Sequence, residues 1–194
     1  MTAATQLKPV PKPVRLRRMT LENFRAWKPT DGWKYVWENG IIQKDKNMVS
    51  EKQLFIVKNL TRFFNKTKAY DNGCECMPEV EMPTYPNKIR IPDISFYTPL
   101  QLRAKHENWH TDRISEFVVE VISEHDEAIK VEQKLHEYFA VGVKVVWQIF
   151  PEYELVKIYT SIKNVTICTD DDICSAAPVV PEFAISIQDI FKKP

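Results

Sequence analysis

A single α/β domain built on a mixed β-sheet is predicted by three observations. The run FVVEVI (117–122) is apolar on both alternating faces, the mark of a strand buried on two sides. Helical periodicity follows over 126–140, and a second apolar strand, KVVWQIF (144–150), begins almost at once. A strand, a helix and a strand in that order require a crossover, so at least one strand pair is parallel.

The other elements follow from local signals. Thr20 caps a short helix through about Trp27. WKYVWENGIIQK (33–44) reads as two strands around Asn39-Gly40, the strongest short hairpin signal. A helix starts after Ser50, with Ser50 and Gln53 as a capping-box pair and Leu54, Val57, Leu60 and Phe64 on one apolar stripe; it ends near Lys66. CECMPEVEM (74–82) and KIRIPDISFY (88–97) read as strands, the second bent at Pro92-Asp93 because proline cannot donate to a ladder. Residues 99–112 form a polar loop with one helical turn. In the 126–140 helix Ala128, Val131, Leu135, Tyr138 and Phe139 face inward, and Gly142 stops it. A turn at Pro151-Glu152 leads to ELVKIYT (154–160), then a weaker strand near VTIC (165–168) and a short final helix, ISIQDIF (185–191).

Composition narrows the class. The chain has 194 residues, 44% hydrophobic and 27% charged with 4 glycines, enough for one packed core and too little glycine for a Rossmann or P-loop enzyme. Neither a membrane span nor the apolar core of a signal peptide is visible, so a cytoplasmic protein is expected. The four cysteines, Cys74, Cys76, Cys168 and Cys174, then read as reduced thiols, and neither pair has the usual zinc-site spacer. Net charge is +1, but residues 1–18 carry Lys8, Lys12, Arg15, Arg17 and Arg18 with no acidic residue, leaving −4 for the rest. Three prolines in that segment argue for a flexible basic arm, either a phosphate-binding tail or a solvated terminus. The domain proper is 19–194.

Glu120 is the most informative residue. A carboxylate inside FVVEVI loses its hydration and needs compensation by a cation, either a lysine or a metal ion. Asp93 follows Pro92 where a strand bends, and two carboxylates from neighbouring strands are a ready site for Mg²⁺. Lys134, on the helix after the Glu120 strand, is placed to reach over it and to orient a water or neutralise charge at phosphorus. The competing reading is a structural ion pair. A further reading is a purely structural interaction module, under which Glu120→Gln would stabilise the protein by relieving a desolvated charge and leave partner binding unaffected. His106, His110, His125 and His136 lack HExxH spacing, and no GxSxG elbow occurs.

RIPDISFY (90–97), EFVVEVISEHDEAIKVEQKLHEYFAVGVKVVWQIFPEYELVKIY (116–159) and PEFAISIQDIF (181–191) together resemble the Uma family of "putative restriction endonucleases". The likeness spans about residues 19–192 and lies in the ordered series of PD, a VEV strand, a K-x-x-x-Y helix, a G-V strand and the closing helix. It implies the restriction endonuclease-like fold of PD-(D/E)XK nucleases, a mixed sheet flanked by helices. It also implies hydrolysis of DNA phosphodiesters with Mg²⁺ or Mn²⁺. By this resemblance Asp93 and Glu120 are the metal ligands and Lys134 is the catalytic lysine, moved from the strand, where Ile122 stands, to the helix. Lys130 and Lys52 stand where relatives often carry an aspartate and a histidine. Glu38 or Glu51 would supply an assisting carboxylate. The resemblance implies DNA as the partner and is compatible with a homodimer. The alternative function is a DNA- or protein-binding module of the same fold that has lost catalysis.

Overall fold

A computed structural model describes residues 17–31, 33, 35–44, 50–84, 88–103, 114–124 and 126–193. Most of the basic arm lies outside them, as do His106, His110 and His125. Its last two residues, Arg17 and Arg18, form a two-residue strand, β1 (Arg17–Arg18).

Helix α1 (Leu21–Ala26) is capped by the Thr20 hydroxyl, which accepts from the Asn23 amide at 3.2 Å. The hairpin β2 (Tyr35–Glu38) and β3 (Ile41–Lys44) turns at Asn39 and Gly40, with φ of 48° and 81°. Two successive left-handed residues suit the type I′ turn that matches strand twist, which is why this dipeptide is favoured there. Arg17 and Arg18 pair with Ile42 and Ile41 on β3.

Helix α2 (Glu51–Phe64) starts as predicted at Ser50, whose hydroxyl accepts from the Gln53 amide. Two details differ from expectation. The buried stripe runs through Gln53, Ile56, Leu60 and Phe64, while Leu54 is 56% exposed. The Gln53 carboxamide, expected to complete a capping box, instead donates to Asp93. A partner in the core outcompetes the helix's own end.

Helix α3 (Lys68–Asp71) and strands β4 (Glu75–Pro78) and β5 (Met82–Thr84) follow, so CECMPEVEM is two strands rather than one. Strand β6 (Lys88–Arg90) and β7 (Ile94–Tyr97) then lie either side of Pro92-Asp93. This bend carries the chain from one sheet to another. The first sheet is antiparallel with order β1-β3-β2-β6-β5; β7 and β4 belong to a second, six-stranded sheet.

After α4 (Pro99–Arg103) comes the interior strand β8 (Phe117–Val121), every residue of which is buried. Asp126 does not begin the next helix; its carboxylate closes a turn by accepting from the Ser123 amide and hydroxyl at 2.7 and 3.0 Å. Helix α5 (Ala128–Ala140) returns the chain to β9 (Val145–Phe150), which pairs parallel with β8. Gly142, at φ 104°, takes the left-handed turn that stops α5. Ala128, expected inside, is exposed, and the buried helix positions are Lys134, Leu135, Glu137 and Tyr138.

Strands β10 (Leu155–Ser161) and β11 (Asn164–Cys168) complete the six-stranded sheet, ordered β11-β10-β9-β8-β7-β4. The segment ISIQDIF was expected to be helical throughout. Its first two residues end β13 (Val180–Ser186), which pairs with β12 (Ile173–Ala176), and only α6 (Ile187–Ile190) is helix. This hairpin packs over the sheet, and burial of Phe183 and Ile185 outweighs local helical preference.

Strand β8 alternates between two cores. Phe117, Val119 and Val121 face α2, α6 and β13, whereas Val118 faces Leu135 and Tyr138 of α5. Trp147 anchors the first core, stacked on Phe183 at 5.6 Å and 12°. Trp147→Ala is expected to cost about 3–5 kcal/mol, seen as a lower urea midpoint with unchanged slope. A midpoint unchanged from native would remove Trp147 from the core's energetics. Among the described residues no helix is long and apolar enough to cross a membrane.

Candidate active site

The crossover β8-α5-β9 builds the centre of the site. Glu120 has the parity of Val118 and so points toward α5, where it is 3% exposed. Lys134 and Tyr138 are one helical turn apart and thus share a face. The Tyr138 hydroxyl donates a short hydrogen bond to Oε1 of Glu120, and Lys134 Nζ lies 3.3 Å from Oε2. The sequence expectation that Lys134 reaches over the Glu120 strand therefore holds in the geometry.

Asp93 approaches from the other side. Ile94 pairs with Val119 in the antiparallel β7-β8 register, so one residue further on Asp93 comes opposite Glu120. Its carboxylate is 2% exposed. Oδ1 accepts from Nε2 of Gln53 at 2.6 Å, and Oδ2 accepts from the amide of Val121 at 2.7 Å. The bend at Pro92 frees this end of β7 from regular pairing, and α2 supplies the group that orients the carboxylate.

Glu120, Lys134, Tyr138, Gln148, Ile122 and Arg90 contribute to the wall of a cavity of about 200 Å³. Asp93 is not part of that wall, although it bonds the amide next to Glu120. The lining carries four acidic groups (Glu38, Glu120, Asp126, Glu127) and four basic ones (Lys44, Arg90, Lys130, Lys134). With no positive excess, a phosphate would need added charge to settle there. A larger cavity, about 770 Å³, lies elsewhere, between α2, the β9-β10 turn and the chain's end, and is lined by Glu51. Of the two assisting carboxylates considered, only Glu38 opens on the Glu120 cavity, and its Oε1 lies 2.8 Å from Lys88.

A second buried charge network fixes the helix that carries Lys134. Glu137 accepts from Lys88 Nζ at 2.7 Å, from Arg90 at 2.8 and 3.0 Å, and from the Thr84 hydroxyl at 3.3 Å. Burial alone would raise the Glu137 pKa, but hydrogen bonds and charge from Arg90 and Lys88 outweigh it and hold the carboxyl below its ordinary value. The network ties β5 and β6 of the small sheet to α5. Local sequence signals did not mark it, because its members lie 47 to 53 residues apart along the chain. Gln53 and Gln148 were missed as well. For Gln148 a signal existed: a polar residue inside an apolar strand, the same signal that singled out Glu120.

Among the described residues no group of three or more His, Cys, Asp or Glu is placed to hold a metal ion. The four cysteines are free, and burial pushes the Cys76 and Cys174 thiols up, so they are poor thiolate ligands. His136 is exposed beside Glu132, Lys52 pairs with Glu152 on the surface, and Lys130 pairs with Glu127. Asp93 and Glu120 nevertheless fit a hard divalent cation. Mg²⁺ is commonly held by one or two carboxylates, with water and substrate oxygens completing its shell.

A mixed sheet flanked by helices, with two buried carboxylates at one strand end and a helix lysine facing one of them, defines a nuclease-like fold and a charged cleft. The chain belongs to the Uma2 family, described as "Putative restriction endonuclease", whose profile matches residues 21–188. Among solved structures it is similar to the crystal structure of "a putative nuclease belonging to DUF820" from Anabaena variabilis ATCC 29413. Identity is 20%, the match covers 89% of this chain and 97% of that one, and the TM-score is 0.73. No curated protein matches.

Proposed function

We propose that the protein is a Mg²⁺-dependent endonuclease that hydrolyses phosphodiester bonds of DNA, with Mn²⁺ able to replace Mg²⁺. The observation that supports this most directly is the buried Glu120 carboxylate held between Lys134 and Tyr138, with Asp93 bonded to the next amide along the strand. Membership in a family of that description supports the same reading.

In this reading Asp93 and Glu120 hold the cation. The bound ion would supply Lewis-acid stabilisation of charge on the phosphate and a more acidic water. Gln53 and the Val121 amide fix the two Asp93 oxygens, so one ligand is held in place before substrate arrives. Tyr138 does the same for Oε1 of Glu120. The Lys134 ammonium, 8% exposed, lies beside the Glu120 carboxylate and is placed to orient the attacking water or to neutralise negative charge on phosphorus. The basic arm would add contacts to the DNA backbone. Cutting both strands of a duplex calls for two sites, which a homodimer would supply. A cytoplasmic location accords with this role.

The test is nicking of supercoiled plasmid with Mg²⁺, Mn²⁺ or EDTA. The native protein should cut only with metal, and Asp93→Ala should lose all metal-dependent cleavage. Undiminished cutting by Asp93→Ala would overturn the assignment. Absence of cutting and of metal binding in the native protein would leave the non-catalytic binding module of the same fold.

A further inference from the structure

Gln148 is a buried polar group that the proposed reaction has not used. It stands on β9 directly beside Glu120, the two being partners in the parallel register, so their side chains project from the same face of the sheet. It is 4% exposed and lines both the cavity at Glu120 and the adjoining one of about 570 Å³ beside Ile122 and Asp126. Among the described residues its carboxamide has no hydrogen-bond partner. Its carboxamide atoms are not among the fully enclosed unpartnered atoms, so the polar end opens on the cavity while the rest of the side chain is buried. A polar group held in an apolar strand and aimed into a cavity beside a carboxylate is suited to a ligand.

We infer that the side-chain carbonyl of Gln148 is a third oxygen ligand for the divalent cation held by Asp93 and Glu120. A hard cation accepts neutral amide oxygens as well as carboxylates. The inference rests on the metal site proposed above and adds to it. The additional protein ligand is an uncharged amide, so the charge balance of the lining is unchanged.

The experiment is calorimetric titration of Mn²⁺ alone into the native chain and into Gln148→Leu, Gln148→Met and Gln148→Glu. Leu and Met conserve volume and should leave the fold intact, checked by thermal melting. Loss of one ligand should weaken Mn²⁺ binding about tenfold in both apolar variants. Gln148→Glu should bind at least as tightly as native, because affinity for hard cations rises with ligand charge. Native binding that is unchanged in the folded Leu or Met variant would overturn the Gln148 assignment alone. Failure of the native chain to bind Mn²⁺ would overturn the metal site itself, and this assignment with it.

Discussion

Glu120→Gln is expected to abolish metal-dependent cleavage and, at the same time, to lower stability by about 3–5 kcal/mol, the usual consequence of breaking a buried ion pair from one side. The shape is conserved, so the loss comes from charge. Glu120 lies at the centre of three groups: Lys134 facing Oε2, Tyr138 donating to Oε1, and Asp93 bonded to the following amide. Without its negative charge the proposed cation site would have one carboxylate instead of two, and the Lys134 ammonium loses the charge it faces. Considered from sequence as a purely structural residue, Glu120 would be a desolvated charge whose removal stabilises the chain. The ion pair in the structure reverses that sign. Adding Lys134→Met to Glu120→Gln should recover much of the stability and none of the activity. Urea unfolding and plasmid nicking on the two variants measure this. A single variant that is as stable and as active as native would show that the pair matters to neither property.

Glu137→Gln should cost a similar amount, again about 3–5 kcal/mol, although it touches neither carboxylate of the site. Glu137 receives Lys88 and Arg90, which stand two residues apart on β6 and so project to the same side. Both are 8% exposed, and removing their shared counter-charge takes the two-bond contact from Arg90 and leaves Lys88 with Glu38 as its carboxylate partner. The effect should depend on pH. The carboxyl titrates below its ordinary value in the folded state, so its contribution is fully present above the unfolded pKa of about 4.3 and is lost as pH falls through the lower folded value. The native protein should therefore lose stability on acidification below about pH 4 more steeply than Glu137→Gln. Denaturant midpoints at pH 3 and pH 7 would measure the difference. Parallel pH profiles for the two proteins would show that the network contributes nothing.

The site was only partly legible beforehand, and the reasons differ from residue to residue. Glu120 could be found because a charge in an apolar strand contradicts its surroundings, and that contradiction is visible in six letters of sequence. Asp93 was marked by the proline before it. Lys134 lay off the predicted apolar stripe of α5 and was singled out by its position on the helix after the Glu120 strand and by the family resemblance. Gln53 had a sound local explanation as a capping-box member, and this concealed its role: its bond to Asp93 joins residues forty positions apart, which no local rule covers. The Glu137 network was invisible for the same reason, since Lys88 and Arg90 lie some fifty residues before their partner.

The secondary structure divides in the same way. Caps, the Asn39-Gly40 hairpin, the β8-α5-β9 crossover and the stop at Gly142 follow from interactions within a few residues, so the local sequence is sufficient to specify them. The division of 74–97 between two sheets and the pairing of β12 with β13 depend on which distant surface each strand buries. So does the choice of Ile56 over Leu54 for the core. Those choices are energetic comparisons between whole packed arrangements, in which local preference is one small term. Fold class was therefore written along the chain, as were the signals that single out Asp93, Glu120 and Lys134 as candidates. Their partners Gln53 and Tyr138, the clamp at Glu137 and the position of Gln148 beside Glu120 exist only once the sheets have closed on one another.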